Sequence, residues 1–299
     1  MNKISVVINT LNEEKNLPRA LSSVSDFADE IVVVDMKSED KTREIAKRFG
    51  ANIYDHEKTN YVEPARNFAI SKAKYDWIFI LDADEEILVP LKNELKKIVD
   101  NPKADYFRIP RKNIIFGKWI KHSRWWPDYN IRFFKKGSVV WSEIIHSVPT
   151  TKGKGSDLEI NEDLAIVHHN YESVDQYVNR MNRYTSEHSK NLVKNDYKFK
   201  WTDLIQKPVN EFLSRYFQGE GYKDGLHGLA LASLQGISEF VMYLKTWQLG
   251  KFPEQRTDVN DVLDQINMSQ SDYNFWKNDT LLKTYGGLKY RLKRKFKLP

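Results

Sequence analysis

Trp77-Ile78-Phe79-Ile80-Leu81-Asp82-Ala83-Asp84-Glu85-Glu86 is the stretch on which the reading of this chain turns. Its first half is a short apolar run, the pattern of a strand buried on both faces in a parallel sheet. The run stops at Asp82, and Asp84, Glu85 and Glu86 follow at once. Carboxylates crowded at the end of a buried strand repel one another unless positive charge sits among them. Asp82 and Asp84 are two residues apart, so in extended geometry their carboxylates share one side of the chain. A hard divalent cation, Mg²⁺ or Mn²⁺, held by one or two carboxylates plus substrate phosphates suits that arrangement. The competing reading is a solvated acidic turn that opens the next helix, where acids favour the N-terminus.

The flanking sequence supplies the sheet. Residues 4–8 read as a buried strand and Asn9-Thr10-Leu11-Asn12-Glu13-Glu14 as its polar exit loop. Pro18 sits near the start of a helix that runs to about Val24. Glu30-Ile31-Val32-Val33-Val34-Asp35 is a second buried strand ending on an acid. Residues 38–42 lead into a helix through about Phe49, with Gly50 as its stop signal. Residues 52–54 are a short third strand, and 63–73 a helix carrying Arg66 and Asn67. Alternation at this spacing predicts right-handed crossovers and a mostly parallel, Rossmann-like sheet covered on both faces. Asn12, Asp35 and Asp82 then fall along one edge, outside the carboxyl ends of the strands where such sheets bind ligands. No Gly-x-Gly-x-x-Gly follows the first strand and no Gly-Lys-Ser/Thr loop occurs, which disfavours a dinucleotide site and a P-loop.

With 299 residues, the chain has room for one large α/β domain and a smaller appendage, read here as residues 1–170 and a helical region 171–299. Aromatic residues make up 13%, too many for a disordered chain. The absence of Cys excludes disulfides and thiolate metal sites and fits a reducing compartment. The N-terminal residues run straight into a strand with no cleavable leader pattern, so no signal peptide is expected. The net charge of +6 suits an anionic partner, and it is uneven: residues 289–299 hold six Lys or Arg and no acid.

Val-Ile-Asn-Thr-Leu-Asn-Glu-Glu, Ile-Val-Val-Val-Asp-Met-Lys-Ser-Glu-Asp-Lys-Thr, Ala-Arg-Asn and Leu-Asp-Ala-Asp-Glu-Glu, in that order, resemble the family 2 glycosyltransferases of the GT-A fold. The branch most similar adds sugars to lipopolysaccharide core or related glycolipids, and Arg132-Phe133-Phe134, residues 141–146 and His168-x-x-Tyr171 extend the likeness. The resemblance implies a metal-dependent inverting transferase that takes a nucleotide-sugar, UDP-linked by family habit, to a glycan or lipid-linked acceptor. Thr10, Asn12, Glu13, Asp35 and Ser38 would lie beside the nucleotide, Arg66 beside the diphosphate or uracil, Asp82 at ribose or metal, and Asp84 on the metal. Read singly, Asp35 is more simply a helix cap, Arg66 an exposed helix residue, and Asn12 and Glu13 ordinary turn residues; their joint spacing favours the functional reading. Departure of a nucleoside diphosphate needs its developing charge neutralised, which a bound cation does.

An inverting transfer also needs a general base for the acceptor hydroxyl. Related sequences often read His-Glu after the Trp141 stretch, whereas Ser147 follows His146 here. The candidates are Glu143 first, then Glu85 or Glu86, then Asp163. His146 and His168 are candidate third metal ligands, with a structural hydrogen-bonding role as the alternative. Arg124-Trp125-Trp126-Pro127-Asp128 offers aromatic faces to an acceptor sugar or to a core. Residues 174–193 show Tyr177, Met181 and Tyr184 at helical spacing, an apolar stripe. Residues 226–249 are the most hydrophobic stretch, yet Glu239 and Lys245 interrupt it, which reads as a buried or interfacial helix, not a bilayer span. Basic and aromatic residues there and in 288–298 suit an anionic membrane surface; a solvated basic tail is the plainer alternative. The expected location is cytoplasmic, peripheral on the membrane's cytoplasmic face, with no nucleic-acid partner. A sugar nucleotidyltransferase would carry a glycine-rich loop after the first strand, which is missing; a degenerate scaffold that only binds keeps the acids without turnover.

Overall fold

The computed structural model describes residues 3–59, 62–141 and 149–299. The chain divides into two compact units, Met1–Ile115 with Trp126–Asn170, and Phe116–Trp125 with Tyr171–Pro299.

The first unit begins with β1 (Ile4–Thr10), α1 (Leu17–Val24), β2 (Glu30–Asp35), α2 (Thr42–Arg48), β3 (Asn52–Asp55), α3 (Glu63–Lys72) and β4 (Trp77–Ile80). β1 pairs in parallel with β2 and β4, and β2 with β3. Period-two alternation sends Val6, Ile8 and Phe79 into one core with Leu17 and Leu21 of α1. Val7, Ile78 and Ile80 enter another, with Ala69 and Ile70 of α3. Because both faces are covered by helices, these strands read as continuous apolar runs.

Past β4 the sheet changes character. It continues through β5 (Glu85–Ile87), α4 (Val89–Asp100), β6 (Tyr106–Ile115) and the strands Asp128–Lys135 and Ile166–Tyr171. The strand order is β3, β2, β1, β4, Asp128–Lys135, β6, Ile166–Tyr171, β5. Asp128–Lys135 is antiparallel to both β4 and β6, and Ile166–Tyr171 is antiparallel to β5. The sheet is therefore mixed, its parallel part being β3-β2-β1-β4 together with the short pairing of Gly155–Asp157 on β6.

This order has a geometric consequence. Three strands lie between β4 and β5, which would separate them by about 19 Å in a flat sheet. The chain joins them through residues 81–84 alone, folded into a turn in which Glu85 N–H donates to Asp82 C=O at 3.0 Å. A tight turn of that length does not reach ~19 Å. The antiparallel half must curl, and the acidic turn is the seam where it closes.

The second unit is helical: α5 (Val174–Lys194), α6 (Asp203–Leu213), α7 (Leu226–Leu249), α8 (Val259–Tyr285) and α9 (Leu288–Lys295). α7 packs on α5 and α6. Gly236 permits the α6 crossing, since a Cβ there would lie 2.9 Å from the carbonyl oxygen of Pro208. Tyr177 of α5 is buried, and its hydroxyl accepts from Gln235 of α7 at 2.6 Å. The inserted segment Phe116–Trp125 is fastened by Asp224, whose carboxylate accepts from the backbone N–H of His122 at 2.9 Å. Among the described residues no helix is long and apolar enough to cross a membrane.

Candidate functional site

Three parallel strands end side by side, and their exit loops are laced together. Asp35 closes β2 with its side chain fully buried. It accepts from Thr10 Oγ1 at 3.2 Å and from the backbone N–H of Ser38 at 3.1 Å. Asn12, in the left-handed region at φ 58°, accepts from the N–H of Glu39 at 2.8 Å, while its own N–H donates to Ser38 Oγ at 2.8 Å. Glu13 N–H donates to Thr42 Oγ1 at 2.8 Å. Asn tolerates the left-handed conformation that this corner requires. The residues of the first two motifs thus contact one another. Thr10 and Asp35 are interior; Asn12 is exposed, and Glu13 and Ser38 are half-buried.

The expectation that Asp82 and Asp84 share one side of an extended chain is corrected. β4 ends at Ile80, and the turn sends the two carboxylates to different partners. Asp82 accepts from Arg66 at 2.9 Å and from Arg132 at 2.5 Å. Burial alone would raise its pKa, but the Arg132 and Arg66 guanidinia hold the carboxyl well below the usual carboxylate range. Arg132 also meets Glu85 at 2.7 Å, and Arg111 meets Glu85 at 3.3 Å and Asp128 at 2.6 Å. Burial would lower the pKa of Arg132, yet Asp82 and Glu85 raise it on balance. Asp128 is likewise held low, the field of Arg111 offsetting burial. These charges come from successive strands of the curl and fill its interior in pairs, as buried charges must.

Asp84 faces His168 instead, with its Oδ2 3.5 Å from Nε2. The imidazole's orientation follows from its neighbours. Asn113 donates through Nδ2 to Asp128 at 3.2 Å, which turns its Oδ1 towards His168 Nδ1 at 2.7 Å. Nδ1 must then carry a proton, which leaves Nε2 as the ring atom facing the Asp84 carboxylate. A ring nitrogen and a carboxylate oxygen at this separation leave room for a proton or a cation between them. Asp84 and His168 are the residues that would hold Mg²⁺ or Mn²⁺ were one bound here. Among the described residues no group of three or more His, Cys, Asp or Glu gathers as a metal cluster.

Arg66 is 7% exposed, and its Nη1 has no hydrogen-bond acceptor among the described residues. Its guanidinium carbon lies 6.0 Å from the ring centre of Trp141. Trp141 is in turn fixed by Asn67, which accepts from its backbone N–H at 3.0 Å and donates to its C=O at 2.7 Å.

The candidate bases fare unequally. Glu85 is fully buried, paired with two arginines, and accepts from the N–H of Asp82 at 2.9 Å. It has no access to an acceptor, so its expected role as a base is withdrawn. Glu86 lies on the opposite face of its strand and meets His169 at 2.8 Å. Asp163 is exposed on the turn Glu162–Leu164, which packs on α4. The register pairs His168 with Glu85 and Ile166 with Ile87, so the chain from His168 back to Asp163 leads away from Asp84. Asp163 is not brought to this site. Glu143 and His146 lie outside the described residues. In the helical unit, Arg124 pairs with Glu211 at 3.0 Å and Arg215 lies 5.8 Å from the ring of Trp125.

Sequence reasoning missed Arg111, Arg132 and Asn113 as site residues. Arg111 and Arg132 each stand beside apolar residues in strands that carry other polar groups as well, so their burial was not readable from the strand pattern.

The family model described as Glycosyl transferase family 2 matches residues 5–153. An uncharacterised glycosyltransferase of Rickettsia typhi, RT0209, is 31% identical over 263 residues, covering 83% of this chain and 88% of its own. The lipopolysaccharide core biosynthesis glycosyltransferase LpsC of Rhizobium meliloti is 23% identical over 267 residues, covering 87% and 97%. The crystal structure of S. aureus TarS 1-349 aligns at a TM-score of 0.47 and 16% identity, covering 86% and 94%.

Proposed function

The chain belongs to glycosyl transferase family 2, a glycosyltransferase of GT-A fold, and on that premise we propose that it moves a sugar, with inversion, from a UDP-sugar to a glycan or lipid-linked acceptor of the cell envelope. The observation that carries the donor half is the Asp84 carboxylate facing the His168 Nε2 lone pair at 3.5 Å, beside the strand ends. In this reading Asp84 and His168 hold Mg²⁺ or Mn²⁺, and Asp82 orients Arg66 instead of ligating. When bound, the cation supplies positive charge against the leaving nucleoside diphosphate.

The protein's own groups do the rest. Thr10 and Asp35, being buried, act by fixing the two loops; Asn12, Glu13 and Ser38 present the surface for base and ribose. Arg66 offers Nη1 to the diphosphate from a site where solvent competes little, and such charge-assisted bonds are the strong ones. Arg132 holds Asp82 ionised and, with Arg111, pairs with Glu85, so the seam keeps its shape without the donor. Deprotonation of the acceptor falls to Glu143, the first-ranked of the four candidates. The name of the LpsC relative supports a glycolipid acceptor, and the basic C-terminal helices support an anionic membrane partner on the cytoplasmic face.

Release of UDP from a panel of UDP-sugars tests this reading. One donor should turn over with Mn²⁺ or Mg²⁺, cease with chelator, and fall about 100- to 1,000-fold in Asp84→Ala. Release that is indifferent to metal and to Asp84→Ala contradicts it.

A further inference from the structure

α9 is a helix whose polar edge faces its neighbour and whose leucines face out. At 100° per residue, Leu288, Leu292 and Phe296 fall within one sector, and Tyr290, Lys293 and Arg294 fall opposite. A helix that packs by hydrophobic burial would turn the first set inwards. Here Leu288 is 69% exposed, Leu292 47% and Phe296 61%, while Tyr290, Lys293 and Arg294 are the partly covered ones.

The reversal is held by charge. Gly286 and Gly287 take positive φ, 68° and 99°, and turn the chain back along α8. Arg294 then pairs with Asp279 at 2.7 Å and Lys297 with Asp272 at 2.8 Å, and Asn278 donates to Leu298 C=O at 2.7 Å. Arg291 and Lys295 flank the apolar sector at about 300° and 340° on the same wheel, exposed and in no ion pair among the described residues. A cleft of about 660 Å³ opens there, with Phe275, Leu288 and Leu292 as its apolar part and Arg291, Arg294, Lys295 and Lys297 as its cationic part.

We infer that this face of the α8–α9 hairpin docks on an anionic bilayer, with Leu288, Leu292 and Phe296 entering the headgroup layer and Arg291 and Lys295 meeting lipid phosphates. The inference rests on the membrane partner of the proposed function and names the face that meets it. Charge complementarity selects the occupant: an apolar stripe alone fits any hydrophobic surface, and exposed cations beside it fit one whose polar layer is negative. The residues involved are distant in sequence from the donor site, so docking and donor binding are separable.

Flotation of the full chain with vesicles tests the inference, using phosphatidylcholine alone and phosphatidylcholine mixed with phosphatidylglycerol. Wild type should float only with the mixed vesicles and be released by high salt. Arg291→Glu/Lys295→Glu and Leu288→Ser/Leu292→Ser should each lose about tenfold or more of the bound fraction at limiting lipid. Both keep the ion pairs that fasten α9, and circular dichroism and UDP binding should match wild type in each. Equal flotation with both vesicle types, or variants that float like wild type, would overturn it. Displacement by inorganic phosphate at matched ionic strength would also overturn it, by assigning the cations to a free anion. Loss of UDP binding in wild type with flotation intact would strike the donor reading and leave this one standing.

Discussion

The two sides of the acidic turn both present carboxylates but give them different partners. On one side Asp82 and Glu85 are enclosed by Arg66, Arg111 and Arg132, and nearly every charge has a partner within the unit. On the other side Asp84 meets His168, whose Nδ1 is engaged by Asn113, so that Nε2 faces the carboxylate. A cluster of acids is therefore not one site. Its partners decide which carboxylates are enclosed by arginines and which face a histidine.

The largest expected effect breaks the arginine side. Asp82→Asn leaves Arg66 and Arg132 buried beside a neutral group, and should cost about 3–5 kcal/mol of stability, read from chemical unfolding. A loss below about 1 kcal/mol would show that the seam is not what closes the curl.

Asp84→Ala is the counterpart on the histidine side. Turnover should fall about 100- to 1,000-fold, with stability changed by less than about 1 kcal/mol. If Asp84→Ala unfolds the protein as readily as Asp82→Asn, the contrast between the two sides fails.

Asn113→Ala sharpens the comparison, because it touches no donor atom. It frees the His168 tautomer and should weaken Mn²⁺ affinity about 10- to 100-fold, measured by metal titration.

The smallest effect at neutral pH concerns acid. The folded pKa values of Asp82 and Asp128 lie below the ordinary carboxylate value, so their stabilisation is complete above that value and is lost as pH falls through the folded ones. Wild type should therefore lose stability progressively below about pH 4, and Asp82→Asn should lose less over the same interval.

Much of the parallel half was legible in the sequence because strands covered on both faces are continuous apolar runs that stop abruptly. Thr10, Asp35 and Asp82 fell at those stops. The antiparallel half was not legible: Asp128–Lys135 and β6 mix charges into apolar strands, and their partners lie far off in sequence, as Arg132 does from Asp82. Extended geometry was assumed through Asp84, whereas closure of the curl imposes a turn there. That tertiary demand separated two carboxylates that local spacing placed together.

The most direct measurement is calorimetric titration of UDP into wild type, Asp84→Ala and His168→Ala, with and without Mn²⁺. Tight binding is expected only for wild type with metal, and weak, metal-indifferent binding in both variants. Binding by wild type that ignores Mn²⁺, or variants that retain the metal effect in full, would contradict it.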